Sequence, residues 1–179
     1  MKHVSISSIT RTAVFLAILL VVQAVFKVLG QYVLGSIVNF ILISSTILIG
    51  IYESIVIAIL SPFLAFLLGF GPAIPQIVPI VMLANLSYVF VWYLLYGRSK
   101  GNRVIGIMIT LAVSATVKFL ILWLGVVKII IPLLHVQKPQ ATVVAAAFSY
   151  PQLITATIGG LTAVIILPTI KRIMINDRV

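Results

Sequence analysis

The 179 residues are 63% hydrophobic and 8% charged, with a mean hydropathy of +1.32, which excludes an ordinary soluble domain because such a domain needs a polar shell. The formal charge of +10 does not indicate nucleic acid, since the twelve Lys and Arg sit between apolar runs and form no basic stripe with interleaved aromatics. Without cysteine, disulfides, thiolate chemistry and Cys-based metal sites are excluded, and the absence of period-two alternation excludes a barrel.

In chain order, Lys2 and Arg11 precede an apolar stretch of about 20 residues that reads as a first span rather than the short core of a signal peptide. The apolar runs predict an all-α membrane protein, one integral domain over 1–179, with about six spans at roughly 9–29, 33–51, 53–70, 77–96, 103–127 and 146–170. The first span places Ala13 and Ala17 one turn apart, with Ala24 close to the same stripe. This flat strip admits a neighbouring helix, either within the bundle or from another protein.

A Gly30-Gln31-Tyr32 turn leads to the second span, whose Asn39, Ser44 and Ser45 read as interhelical hydrogen bonders. Glu53 falls at the start of the third span, where a carboxylate favours a helix N-terminus. Gly69-Phe70-Gly71-Pro72, with Pro75 and Pro79, breaks the chain before the fourth span. Gly97-Arg98-Ser99-Lys100-Gly101-Asn102 forms the fourth connection. The fifth and longest carries Pro132, His135, Gln137, Lys138, Pro139 and Gln140.

With the N-terminus inside, eight basic residues (Lys2, Arg11, Arg98, Lys100, Arg103, Lys171, Arg172, Arg178) fall on the cytoplasmic face and three (Lys27, Lys128, Lys138) on the outer face. Both termini are therefore expected to be cytoplasmic, with the third and fifth connections outward.

Enzyme chemistry finds no support. No glycine-rich phosphate loop with Lys is present, His3 and His135 lie far apart in sequence, and the only acids are Glu53 and Asp177. Ion-gradient coupling lacks an acid within the membrane. Three polar residues do fall at matching depth: Asn85, Lys118 and Gln152 lie roughly 9 to 14 Å below the outer boundary at 1.5 Å per residue. Either Lys118 faces a pocket, or it snorkels or bridges backbone carbonyls. Tyr88 is three residues from Asn85, and Phe148, Ser149, Tyr150 and Pro151 precede Gln152. Aromatic walls with a few amides suit a flat, polar-edged heterocycle, whereas Tyr32, Trp92, Tyr93 and Tyr96 read as an interfacial belt.

On Ala13-Val14-Phe15-Leu16-Ala17, Gly35-Ser36-Ile37-Val38-Asn39, Ser61-Pro62 with the Pro-rich third connection, and Ser149-Tyr150-Pro151-Gln152-Leu153-Ile154-Thr155-Ala156, the chain resembles the substrate-binding S components of energy-coupling factor (ECF) transporters. The resemblance covers nearly the whole chain. It implies a vitamin-capture subunit with an outward pocket from helices four to six, covered by the first, third and fifth loops. It also implies that Ala13 and Ala17 contact a transmembrane coupling subunit. This chain then binds no cofactor, and ATP is hydrolysed by two partner ATPase subunits. The resemblance is closest to the group for hydroxymethylpyrimidine or a related pyridine such as pyridoxine, with the pantothenate group next. The candidate substrate site, read from the depth and neighbours given above, is Asn85, Tyr88, Lys118, Tyr150 and Gln152. A small self-sufficient facilitator and a structural membrane adaptor are the competing functions.

Overall fold

A computed structural model describes residues 5–96, 98 and 102–176, with side chains through Thr169. Lys2, His3, Ser99, Lys100, Asp177 and Arg178, which entered the reading of charge and topology, lie outside the described residues, as do the side chains of Lys171 and Arg172.

The described chain is helical, with no strand among those residues. Four helical runs, Ile6–Leu48, Ile77–Leu95, Arg103–Leu133 and Gln140–Thr169, are long and apolar enough to cross a membrane, and Ile51–Leu67 is a shorter apolar helix. The first run is a hairpin. Helix α1 (Ile6–Phe26) begins at Ser5, whose hydroxyl accepts from the Ser8 amide, and ends in a 3-10 turn, Lys27–Leu29. Gly30, at φ 83°, reverses the chain into α2 (Gly30–Leu48), a backbone conformation open to glycine at no steric cost. A tight turn at Ile49 and Gly50 leads to α3 (Ile51–Leu67).

The cross-links fix the directions. Ser8 at the start of α1 donates its hydroxyl to Glu53 at the start of α3, and Lys27 beyond the end of α1 donates to the Gly69 carbonyl beyond the end of α3. Helices α1 and α3 therefore run parallel, with α2 returning between them. Helix α4 (Ile77–Leu95) and helix α5 (Arg103–Leu122), capped by the Asn102 side chain, run antiparallel, since Ile80 meets Gly125 and Asn85 meets Lys118. Beyond α5 the chain winds as a π-helix, Trp123–Ile130, and turns through Ile131–Leu133. A short helix α6 (Gln140–Ala147) precedes α7 (Tyr150–Asn176).

Helix α7 runs alongside α2 in the same direction. Their approach is close because Gly159 has no Cβ: one placed there would meet the Ser36 carbonyl at 2.5 Å, Asn39 Cβ at 2.6 Å and the Phe40 amide at 2.7 Å. The main core, including Leu42, Ile43, Ile57, Trp92, Leu111 and Ala163, fills the half of the bundle that contains Gly50. A smaller apolar cluster of Ile74, Ile77 and Val126 lies in the half that contains Gly69.

Several boundaries differ from the sequence reading. The first three helices begin at 6, 30 and 51 rather than 9, 33 and 53; in the first two, the polar residues Ser7 and Gln31 still wind into helix. The fifth helical run passes 127 as π-helix and ends at Leu133, and α7 starts at 150 rather than 146. The stretch Gln140–Ala147, with residues 140–145 read as connection and 146–147 as the start of the sixth span, is a separate helix. Hydropathy registers where a chain is apolar but carries no signal for π winding or for a helix stop inside an apolar stretch.

Candidate functional site

The half of the bundle that contains Gly69 encloses a cavity of about 310 Å³. At its floor is Lys118, 3% exposed, carried by α5. Its Nζ donates to Asn39 Oδ1 on α2 at 2.5 Å and to Asn85 Oδ1 on α4 at 2.7 Å. It also lies 5.1 Å from the centroid of the Tyr88 ring, whose π face attracts a cation. An ammonium carries three N–H groups, and these protein bonds take two of them.

The partners are themselves held. Asn39 Nδ2 donates to Thr155 Oγ1 at 3.4 Å, and that hydroxyl donates to the Gln152 carbonyl at 3.3 Å. Tyr88, fully buried, donates its hydroxyl to the Ala156 carbonyl at 2.6 Å, which fixes the ring behind Lys118. Gln152 lines the cavity from α7, and its Nε2 donates to the Ala147 carbonyl at 3.0 Å. Among the described residues no carboxylate lines the cavity: Glu53 is bonded to Ser8 at the opposite end of the bundle.

The walls come from more helices than α4, α5 and α7. Gln23 and Lys27 of α1 and its following turn, Gln31, Leu34, Gly35 and Val38 of α2, and Ser61, Pro62 and Ala65 of α3 all contribute. At the rim, Phe70, Gly71 and Pro72 fold back over α3, the amides of Phe70 and Gly71 both donating to the Ala65 carbonyl at 3.0 and 2.8 Å. Phe148 closes the opposite side.

Of the residues singled out in the sequence, Asn85, Lys118 and Gln152 come together at this cavity. Tyr88 stands behind it, against Lys118, and does not line it. Tyr150 is not brought to it: the side chain is 74% exposed and its ring stacks on Phe119 at 6.2 Å, on the outside of the bundle. Asn39, read as an interhelical hydrogen bonder, does bond between helices but does so by holding Lys118. Its depth, nine residues beyond Gly30, matches that of Asn85, a signal the sequence reading did not use for it. Gln23 and Gln31 were not singled out, although a glutamine in an apolar helix is itself such a signal.

Ala13 and Ala17 lie on the exposed face of α1, as does Ala24, so the strip packs against no helix of this chain.

Residues 7–171 match the family model described as ECF transporter, substrate-specific component. No curated protein and no solved structure matches the chain.

Proposed function

The chain belongs to the substrate-specific components of ECF transporters, and on that footing we propose that it is the high-affinity capture subunit of an ATP-driven importer. The proposed solute is hydroxymethylpyrimidine or a related pyridine vitamin such as pyridoxine. Membership makes the chain part of a transporter rather than an enzyme, a multi-pass membrane protein that works on a small molecule with an ECF module.

The observation that carries the reading is the floor of the cavity, where Lys118, tied to Asn39 and Asn85, borders the space a ligand would fill. Ring nitrogens and hydroxyls of such a heterocycle accept from Lys118 and exchange hydrogen bonds with the amides of Asn85 and Gln152, while Phe148 covers a ring face. Tyr88 acts through Lys118 by holding its charge in place. A cavity of about 310 Å³ suits a ligand of this size. One observation favours a second solute, pantothenate: with no carboxylate among the described lining residues, Lys118 has room for an anionic partner.

In this account the chain forms one domain with six crossings of the cell membrane, both termini cytoplasmic and the cavity opening outward. Ala13 and Ala17 receive a helix of the transmembrane coupling subunit, a role supported by their exposure on α1. The chain itself carries no cofactor, and two ATPase subunits supply the energy.

Reconstitution tests this directly. In liposomes the purified chain binds the solute without accumulating it, and adding the coupling and ATPase subunits gives ATP-dependent accumulation. Ala17→Leu abolishes accumulation and leaves binding within twofold. Rapid flux without the module would make the chain a facilitator, and binding of no vitamin at all would make it an adaptor. A cysteine at Gln137 labels from outside the cell, and labelling from the cytoplasm alone would reverse the orientation.

A further inference from the structure

Most described helical hydroxyls in this chain are bonded to their own helix. Ser36 donates to the Tyr32 carbonyl at 2.7 Å, Ser54 to Gly50 at 2.7 Å, Thr110 to Gly106 at 2.8 Å and Ser114 to Leu111 at 3.2 Å. Such back-bonding is the ready solution for Ser or Thr in an apolar helix, since a carbonyl of the preceding turn is always within reach. Ser61 departs from it. The residue is fully buried, its Oγ has no hydrogen-bond partner, and it lines the cavity. Ser44 Oγ and Trp92 Nε1 are also buried without partners, but neither residue lines the cavity.

The local sequence adds to the contrast. Pro62 follows Ser61 inside α3 and also lines the cavity. Proline has no N–H, so the Ala58 carbonyl loses its bond from four residues on, and α3 is a bond short at this turn. Depth places the turn at the floor. Ser61 is eight residues before Gly69, Asn39 nine after Gly30 and Asn85 eight after Ile77, each roughly 12 to 14 Å from its end of the bundle at 1.5 Å per residue. Helices α2, α4 and α5 supply Asn39, Asn85 and Lys118 at that level, with Lys118 bonded to both amides, and α3 supplies a hydroxyl bonded to nothing.

We propose that Ser61 is a specificity-determining residue of the cavity, its side chain hydrogen-bonding a hydroxyl of the captured solute. The Ser61 Oγ is fully buried in the free protein, so its side chain turns toward the cavity as the solute binds, and a solute hydroxyl that bonds it there relieves the cost of an unpaired buried hydroxyl. A solute with hydrogen there leaves Ser61 orphaned and is rejected, as sites built to bond a hydroxyl reject the analogue that lacks it. The inference rests on the capture reading and deepens it: the preferred solute carries a hydroxyl in addition to the group that meets Lys118.

Titration calorimetry on the purified full chain tests it, with hydroxymethylpyrimidine, pyridoxine and pantothenate, each paired with analogues in which one hydroxyl is replaced by hydrogen. For the tightest of the three, one analogue binds the parent about tenfold more weakly. Ser61→Ala weakens the hydroxylated solute by a similar factor and leaves that analogue unchanged, while the thermal midpoint of the free protein holds. Equal weakening of both members of the pair, or of neither, overturns the role of Ser61 while leaving the capture reading in place. A folded parent that binds none of the three overturns the capture reading, and the inference with it.

Discussion

The two halves of the bundle use buried polar groups in opposite ways. In the half that contains Gly50, the hydroxyls are short and most bond within their own turn: Thr46 and Ser45 donate to the Leu42 carbonyl, Ser114 donates to Leu111, and Ser54 shares its one proton between the Gly50 carbonyl and Ser45 Oγ across the α2–α3 turn, while Ser44 Oγ and Trp92 Nε1 have no partner. Around them Leu42, Ile43, Ile57 and Trp92 are fully buried. In the half that contains Gly69, the polar groups are long and reach across helices, as Lys118 does to Asn39 and Asn85, and they border a cavity. The breaks in regular winding also fall there: the 3-10 turn after α1, Pro62 in α3 and the π segment after α5. Locally satisfied hydroxyls let helices close on one another, whereas groups that bond between helices need space, and irregular winding holds that space open.

The largest test of this comparison is Gly159, where the helices of both halves are pinned. Gly159→Leu drives a side chain into the α2 backbone, so the chain loses about 3 kcal/mol or more and its thermal midpoint in detergent collapses. A midpoint near the parent's would show that α2 and α7 separate easily, contrary to a rigid scaffold. The smaller test applies one substitution to each half. Ser54→Ala removes a bonded hydroxyl and costs about 1 kcal/mol, while Ser61→Ala removes a hydroxyl with no partner and leaves stability unchanged within about 0.5 kcal/mol. Equal losses would erase the distinction between the halves.

Much of this arrangement could be read from the residues. Lys118, Asn85 and Gln152 stand out because a polar side chain deep in an apolar helix has few stable environments, and rise per residue converts sequence position into depth. Depth alone does not fix direction. Tyr150 and Gln152 are two residues apart, which on a helix is about 200° of rotation, so Gln152 at the cavity puts Tyr150 outside. The spacing of Ala13 and Ala17 left open whether the strip packs internally, and the exposed face of α1 answers that for this chain. The π winding at Trp123–Ile130 had no signal, because composition and hydropathy do not distinguish it from α winding. Ser61 was visible only as part of a Ser-Pro pair. Its lack of a partner is a tertiary fact, since the same residue elsewhere in these helices finds a carbonyl.

Contact between Lys118 and the captured solute at the cavity floor is read from the thermal midpoint of the purified chain against increasing hydroxymethylpyrimidine, pyridoxine or pantothenate. A ligand bound only by the folded state raises that midpoint by mass action. The midpoint of the parent rises with concentration of at least one of the three, and that of Lys118→Met does not, although the variant stays folded because Met fills the same space and Asn39 remains tied to Thr155. An equal rise in Lys118→Met, or no rise in the folded parent with any of the three, would contradict that contact.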